Sequence, residues 1–458
     1  MPKYNISIVI FRRDLRLEDN TALLEALEHS RAVLPVFIFD PRQLKKHEYF
    51  SQPGFQFMIQ SLRELDAALR IRGGRLFTFA GDPQVILQKL INDLSVDAVF
   101  VNEDYTPFSI NRDLSLAHLC QSKNVAFISR MDALLIDPRG IKKNDGGVYT
   151  VFTPFYNKAV TFDISLPRKN NDKNFFNQTV GFADEGLLQA YLPAENKDIT
   201  ITGGRASALK VLKRIKDFKN YQDIRDYPSI EGTTHLSAHH KFGTVSIREV
   251  FHKMTESLGR QHPLVRQLYW RDFFTHIGFH YPYVLGEAFQ EKYQNIPWED
   301  RPEAFQAWRE GRTGFPIVDA GMRELNTTGY MHNRLRMITA SFIVKDLQVD
   351  WRLGEKYFAT KLVDYDPLVN NGSWQWAAST GCDAQPYFRI FNPWLQQAKF
   401  DPDAVYIKRW IPEIKDIVSN DLHHYYKRTE PFPNYPLPIV DHKEATALTK
   451  RLFKVHTP

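Results

Sequence analysis

Five short apolar runs decide what the first third of this chain can become. Residues 5–11 (NISIVIF), 33–39 (VLPVFIF), 75–81 (RLFTFAG), 97–102 (DAVFVN) and 125–129 (VAFIS) are each about the length of one strand, and their apolar side chains sit at consecutive rather than alternate positions. Strands buried on both faces read this way, as in a parallel sheet covered by helices. Helical spacing fills the gaps over Thr21–His29 and Phe55–Arg72. Strand, helix and strand in alternation define a doubly wound, Rossmann-like parallel α/β domain over residues 1–130. No G-x-G-x-x-G follows the first strand, so the dinucleotide fingerprint is missing. Fold alone gives this domain no task.

The character changes after residue 130. Polar and basic stretches such as PRKNNDKN (167–174) and ENKDITITGG (195–204) mark 131–205 as a long, loop-rich connector. From 206 to 458 strand patterns fade and helix follows helix, broken at DYPS, HYPY, RTGFP and FDPD. The expected fold class is therefore α/β followed by all-α. A net charge of +6 permits nucleic-acid binding without demonstrating it. An aromatic share of 13% hints at stacking work, though a large core absorbs most aromatics. Two cysteines, Cys120 and Cys382, match no metal spacing and suit a reducing compartment. No run is long enough for a membrane span. The opening MPKYNISIVIF enters a strand at once, without a secretory pattern. These features point to a soluble intracellular protein.

Residues 370–393 (NNGSWQWAASTGCDAQPYFRIFNP) are the most unusual segment. Buried amides and hydroxyls need partners, and a core has little use for Asn370, Asn371, Gly372 and Ser373 in a row. A site that cups a flat, polar heterocycle does, with amides for the ring edges and aromatics for the faces. The alternative is a surface loop anchored by two tryptophans. Over Met331–Val344, Met331, Leu335, Ile338 and Phe342 form one apolar stripe at helical spacing, with Asn333, Arg336 and Met337 opposite. Met337 is thereby offered to a ligand, unless the helix is buried on both faces and Met337 fills a gap. Around Arg266–Phe274, Gln267, Trp270 and Arg271 share one helix face. That trio suits a nucleobase or another flat polar ligand, or an interhelical hydrogen-bond patch.

The chain resembles the photolyase/cryptochrome family, and within it the class I cyclobutane pyrimidine dimer photolyases. The motifs that carry the resemblance are FRRDLRLEDN (11–20), EGTTHLS (231–237), QLYWRDFF (267–274), TGFPIVDAGMRELNTTGYMHNRLRM (313–337), DYDPLVNNGSWQWAASTG (364–381) and YFRIFNP (387–393). The resemblance implies a helical domain holding a U-shaped FAD, active as FADH⁻, and light-driven splitting of the cyclobutane ring in UV-damaged DNA. It implies Tyr221, Thr233, Thr234, Leu236 and Ser237 around the flavin phosphates and ribityl chain. Gln267, Arg271, Asn333, Arg336, Asp364 and Asp366 would line the flavin cavity, with Asn370 facing flavin N5. Electron transfer would run through Trp374, Trp351 and Trp298. The lesion would meet Trp270 and Trp376 as stacking clamps, with Gln267, Asn333 and Met337 beside it. Arg225, Arg334 and Arg389 would serve the DNA backbone. Taken one by one, each has a plainer reading: capped helix entry, structural salt bridge, core indole or solvated charge.

Some positions depart from the family pattern. Class I dimer enzymes usually carry Glu where this chain has Gln267. Gln also occurs in (6-4) photolyases, but those depend on a His-His pair where this chain has Met331-His332-Asn333, so dimer repair is the reading and (6-4) repair a minor alternative. Tyr330 stands where several relatives have Trp. An antenna chromophore of folate or deazaflavin type is expected without a named identity. His47 falls near a folate contact, whereas Phe108 and Ser109 replace an Asn-Glu pair. The rival from another class is a cryptochrome-type photoreceptor, against which stand Trp270, Trp376, Met337 and an ending at VHTP without a long extension. The expected partner is UV-damaged DNA, the expected state a monomer, and the expected location cytoplasmic and nucleoid-associated, or nuclear in a eukaryote.

Overall fold

A computed structural model describes residues 2–44, 47–192 and 195–455; Met1 and the last three residues of VHTP lie outside the described residues. Five parallel strands, β1 (Tyr4–Phe11), β2 (Ser30–Phe39), β3 (Phe77–Ala80), β4 (Ala98–Asn102) and β5 (Ala126–Arg130), form one sheet in the order β3-β2-β1-β4-β5. Each expected apolar run is a strand, the third trimmed to four residues. Both faces are covered: Val9, Phe11 and Phe37 pack in one apolar cluster, and Ile8, Ile10 and Val36 in another. Helices α1 (Thr21–His29), α2 (Gln52–Ile71), α3 (Pro83–Leu94) and α4 (Pro107–Ser122) supply the crossovers. The second helix starts three residues before the expected Phe55. Ser51 caps it by accepting from the Gly54 N–H, and Pro53 tolerates the first turn.

Strand order reverses between β1 and β4, and the loops leaving their carboxyl ends carry Arg13 and Asp104. This is the switch point at which open α/β sheets present side chains to ligands or neighbours. The FRRDLRLEDN motif is spent largely on joining the two halves. Arg16 and Arg248 both pair with buried Asp132, at 2.6 and 2.9 Å, and Arg248 also holds Asp19 at 2.9 Å.

The connector is not structureless. Helix α5 (Phe152–Ala159) packs into the helical half beside Phe273. Phe175 and Phe176 return to the sheet, where Phe175 bridges Val33 in parallel. β2 begins before its partner β3, and Phe175 covers the part of that edge that the short β3 leaves open.

Five helices of the remaining chain place the site: α6 (Ser237–Phe242), α7 (Pro263–His280), α8 (Asn333–Lys345), α9 (Trp351–Lys361) and α10 (Pro367–Ala378). α8 starts at Asn333 rather than Met331 because His332 caps it, Nδ1 accepting from the Arg334 N–H at 3.1 Å. Its apolar stripe of Leu335, Ile338 and Phe342 is buried, and Met331 joins the same core from outside the helix.

Candidate functional site

Most of 370–378 is helix, not loop. Asp366 caps α10 by accepting from the Leu368 and Val369 N–H groups, Pro367 opens it, and Ser379 ends it in the left-handed region at φ 66. One turn in, the helix buries Asn370 and Asn371 and spends their amides. Asn370 Nδ2 donates to Glu355 Oε1 of α9 at 2.8 Å, and Asn371 Oδ1 accepts from Gln375 at 3.1 Å. Tight neighbours hold α10 in place. A methyl group on Gly372 would overlap Phe274 of α7, and one on Gly354 of α9 would overlap the Trp374 ring.

α7, α8, α9 and α10 enclose a cavity of about 520 Å³, within the range of roughly 300–1,000 Å³ typical of cofactor sites. One end is lined by Tyr221, Thr233, Thr234, Leu236 and Ser237. Around it Arg225 leans on the Tyr221 ring at 5.7 Å, and His235, at φ 53, stacks on Tyr330 at 4.4 Å. The buried Phe358, Asn370, Trp374 and Ala377, with half-buried Val369, form an inner wall. Arg336 and Asp364 form an ion pair at 3.0 Å, and Arg336 Nε donates to the Met331 carbonyl at 2.8 Å. Burial works against the Arg336 charge, but Asp364 beside it raises its pKa overall.

Gln267, Trp270, Met337 and Trp376 line the cavity half-buried and Asn333 lines it exposed, so this part reaches solvent and serves as its mouth. Met337 lies in the cavity wall, partly exposed, so the helix is not buried on both faces at this point. Trp270 has one face covered: Phe152 stacks on it at 3.6 Å and 7°. Arg271 is turned inward, donating to the carbonyls of Ala133 and His240. Arg334 lines the cavity but pairs with Asp226 at 2.8 Å.

Three expected residues lie outside this cavity. Trp351 is buried and lines a second one, Trp298 is half-buried against Phe453 at 6.1 Å, and Arg389 is exposed in the segment after α10. Trp374 touches Phe358 and Trp308, with centroids at 4.9 and 6.2 Å.

Sequence reasoning missed the polar floor. Arg13 bridges Asp104 of the α/β half, at 2.9 Å, and Asp366 of the α10 cap. Burial alone would raise the Asp366 pKa, but Arg13, Lys241 and Arg271 outweigh it and hold it at about 2. Lys241 is pulled down to about 8, first by burial and then by Arg13. Both ring nitrogens of His240 are buried without a protein partner. Glu355, the partner of Asn370, is pushed up to about 7 by burial, against the pull of that hydrogen bond. FRRDLRLEDN pointed to Arg13, but nothing local pointed to Glu355.

A second cavity, about 710 Å³, lies between the sheet's carboxyl edge and α9, lined by Phe39, Arg42, His47, Phe108, Arg352 and Glu355 among others. Lys241, Leu362 and Tyr365 border both cavities. Ser109, unlike Phe108, does not face it: its hydroxyl donates to Asp104 Oδ2 at 3.0 Å.

The donor set fits FAD. Hydroxyls and guanidinium groups at one end suit a pyrophosphate, the Trp374 wall suits a flat ring, and the orphaned His240 nitrogens await a polar partner. A Rossmann-like domain joined to a helical domain with such a cavity defines the class of flavin proteins represented by photolyases and cryptochromes. The comparisons agree. Residues 7–170 match the model described as DNA photolyase, and residues 264–455 the FAD binding domain of DNA photolyase. The deoxyribodipyrimidine photo-lyase of Halobacterium salinarum is 37% identical, over 94% of this chain and 95% of its own. An archaeal photolyase from Sulfolobus tokodaii, solved with two FAD molecules that imply a novel light-harvesting cofactor in that protein, is 44% identical with a TM-score of 0.90, covering 98% of this chain and all of its own. A bacterial class III photolyase from Agrobacterium tumefaciens is 35% identical with a TM-score of 0.92, covering 100% of this chain and 98% of its own. The chain belongs to the DNA photolyase family, and its helical half is that family's FAD-binding domain.

Proposed function

We propose that this protein repairs cyclobutane pyrimidine dimers in UV-damaged DNA, using light, as a deoxyribodipyrimidine photo-lyase. The observation that carries the reading is one hollow whose lining combines a flavin-type donor set with two half-buried indoles, Trp270 and Trp376. Photolyases as a class take the damaged bases out of the stack before acting on them. Reduced FAD, when bound, supplies the light-driven electron that opens the cyclobutane ring.

The chain's own residues supply position and electrostatics. Thr233, Thr234 and Ser237 donate to the phosphates, with Tyr221 and Leu236 packed around them. The Arg336–Asp364 pair presents fixed charge beside the ring, and Arg271 and Asp366 close the floor. Asn370, its Nδ2 held by Glu355, has its Oδ1 left as an acceptor for N5. Trp374, Trp351 and Trp298 are assigned to electron supply from the surface. Met337 and Asn333 border the lesion, while Arg225, Arg334 and Arg389 hold phosphates without reading sequence. The second cavity is the place for an antenna chromophore.

The finer assignment to class I rests on the MHNRLRM pattern, in which Asn333 and Met337 line the mouth. The division at 130 and 205, a monomeric state and a place beside DNA in the cell belong to the same reading. Among the described residues no helix is long and apolar enough to cross a membrane. The test illuminates FAD-loaded, chemically reduced protein with oligonucleotides carrying a cyclobutane dimer, a (6-4) product or no lesion. Restored pyrimidines from the first alone are expected; product only from the second, or from neither, overturns the proposal.

A further inference from the structure

Among the described residues that line the cavity, every carboxylate has a cationic partner: Asp226 is paired with Arg334 at 2.8 Å, Asp364 with Arg336 at 3.0 Å, and Asp366 with Arg13. Two neutral amides on the solvent-reaching part of the lining, Gln267 and Asn333, can meet base edges. Gln267 sits one turn before Trp270 on α7, and its Nε2 donates to the Pro263 carbonyl of its own helix at 3.2 Å. In this orientation the bond uses one N–H and leaves Oε1 and the other N–H for a ligand; turning the amide over exchanges the two and gives up the bond to Pro263. Asn333 is exposed at the start of α8 and is tied only weakly, Nδ2 resting 3.6 Å from the Met337 sulfur.

Base chemistry gives this arrangement a consequence. A cyclobutane dimer joins C5 and C6 of neighbouring pyrimidines and leaves N3 and the substituent on C4 available. Thymine presents an N3–H donor and a C4 carbonyl acceptor there, whereas cytosine presents an N3 acceptor and an amino donor. A carboxylate only accepts, so it answers thymine and leaves cytosine N3 facing a like acceptor. A primary amide carries both functions and answers either base by turning over. We propose that Gln267, seconded by Asn333, is a specificity-determining residue that makes the lesion site accept cytosine-containing dimers as readily as thymine dimers. The inference rests on the reading of the chain as a dimer photolyase.

The test is dark binding by FAD-loaded protein to duplexes of one sequence carrying a thymine–thymine or a cytosine–cytosine cyclobutane dimer, freshly prepared and checked by mass for loss of the amino group. Wild-type affinities within about threefold of each other are expected, since each lesion finds a complete set of partners. Gln267→Glu is expected to shift the ratio toward the thymine dimer by about tenfold, the effect of leaving one buried polar group opposed. A purely structural role for Gln267 would weaken both lesions alike and leave the ratio unmoved. A wild-type preference for the thymine dimer of more than about tenfold, or an unchanged ratio in the variant, overturns this inference and leaves dimer repair standing. Failure of both lesions to bind better than undamaged duplex overturns the two together.

Discussion

The Asn370 side chain donates to Glu355 Oε1 at 2.8 Å, and the two residues line different cavities, Asn370 the flavin-type one and Glu355 the one beneath the sheet. The same Nδ2 also donates to the Glu355 backbone carbonyl at 3.3 Å, so one amide and one glutamate are tied together across the wall between the sites. The carboxyl of that glutamate is held up to about 7 by burial.

That carboxyl makes a pH prediction. Native Glu355 keeps its proton to about pH 7, whereas an unfolded glutamate loses it near 4.5. Between those values the native state binds more protons, so its contribution to stability falls as pH rises and the loss is complete above about 7. The size is on the order of 3 kcal/mol. Glu355→Gln keeps an acceptor for Asn370 and removes the titration. Urea unfolding of FAD-free protein at pH 5 and pH 8 should show a smaller difference in the variant than in the wild type. Equal differences would mean the carboxyl is not held protonated.

Trp270→Ala should have two separable effects. Loss of the indole removes a stacking partner for a base and should weaken dimer binding by roughly 1–3 kcal/mol. Phe152 covers the other face at 3.6 Å, so the same substitution opens packing at the α5–α7 contact and should lower stability by roughly 3–5 kcal/mol. Binding in the dark and denaturant unfolding measure the two. Unchanged affinity alongside lost stability would assign Trp270 to packing alone.

Trp374→Phe tests electron supply. The ring is 2% exposed and forms the cavity wall. The variant should slow the photoreduction of oxidised FAD yet spare dimer repair once the flavin is reduced chemically. Absorbance under steady illumination follows the first and product analysis the second. Equal loss of both would show that Trp374 mainly shapes the cavity.

Gly354→Ala tests how closely that wall is fitted. The added methyl overlaps the Trp374 ring, so the indole must swing toward the cavity or α9 must move. Overpacking of this kind costs about 1–3 kcal/mol. A lower melting temperature together with weaker FAD retention on a desalting column is the expected result. A variant that melts and holds FAD like the wild type would place slack where the structure has none.

Much of this molecule was readable one segment at a time. The strands of the α/β domain were legible because burial on both faces writes itself as consecutive apolar residues, and the order of strands and helices then restricts the sheet to parallel pairing. The face of α8 bearing Asn333, Arg336 and Met337 followed from helical spacing alone. Ser51 and His332 moved two helix starts by a turn or less, since capping depends on one side chain's rotamer and not on periodicity. The amide cluster at 370 left open whether it was site or loop, and only the Asp366 cap and the contacts to α7 and α9 made it a buried helix.

The sequence by itself determined the fold class, the family and which side chains compete for the site. The tertiary structure alone decided how those side chains are used. Arg13 meets Asp366 across 353 positions of chain, Phe152 takes one face of Trp270, and Glu355 reaches Asn370 from another helix and a second cavity. Periodicity and motifs report on neighbours a few residues apart, whereas hydrogen bonds and stacking act over a few ångströms in space. The pairings that tune charge and position at this site exist only once packing has brought distant segments together.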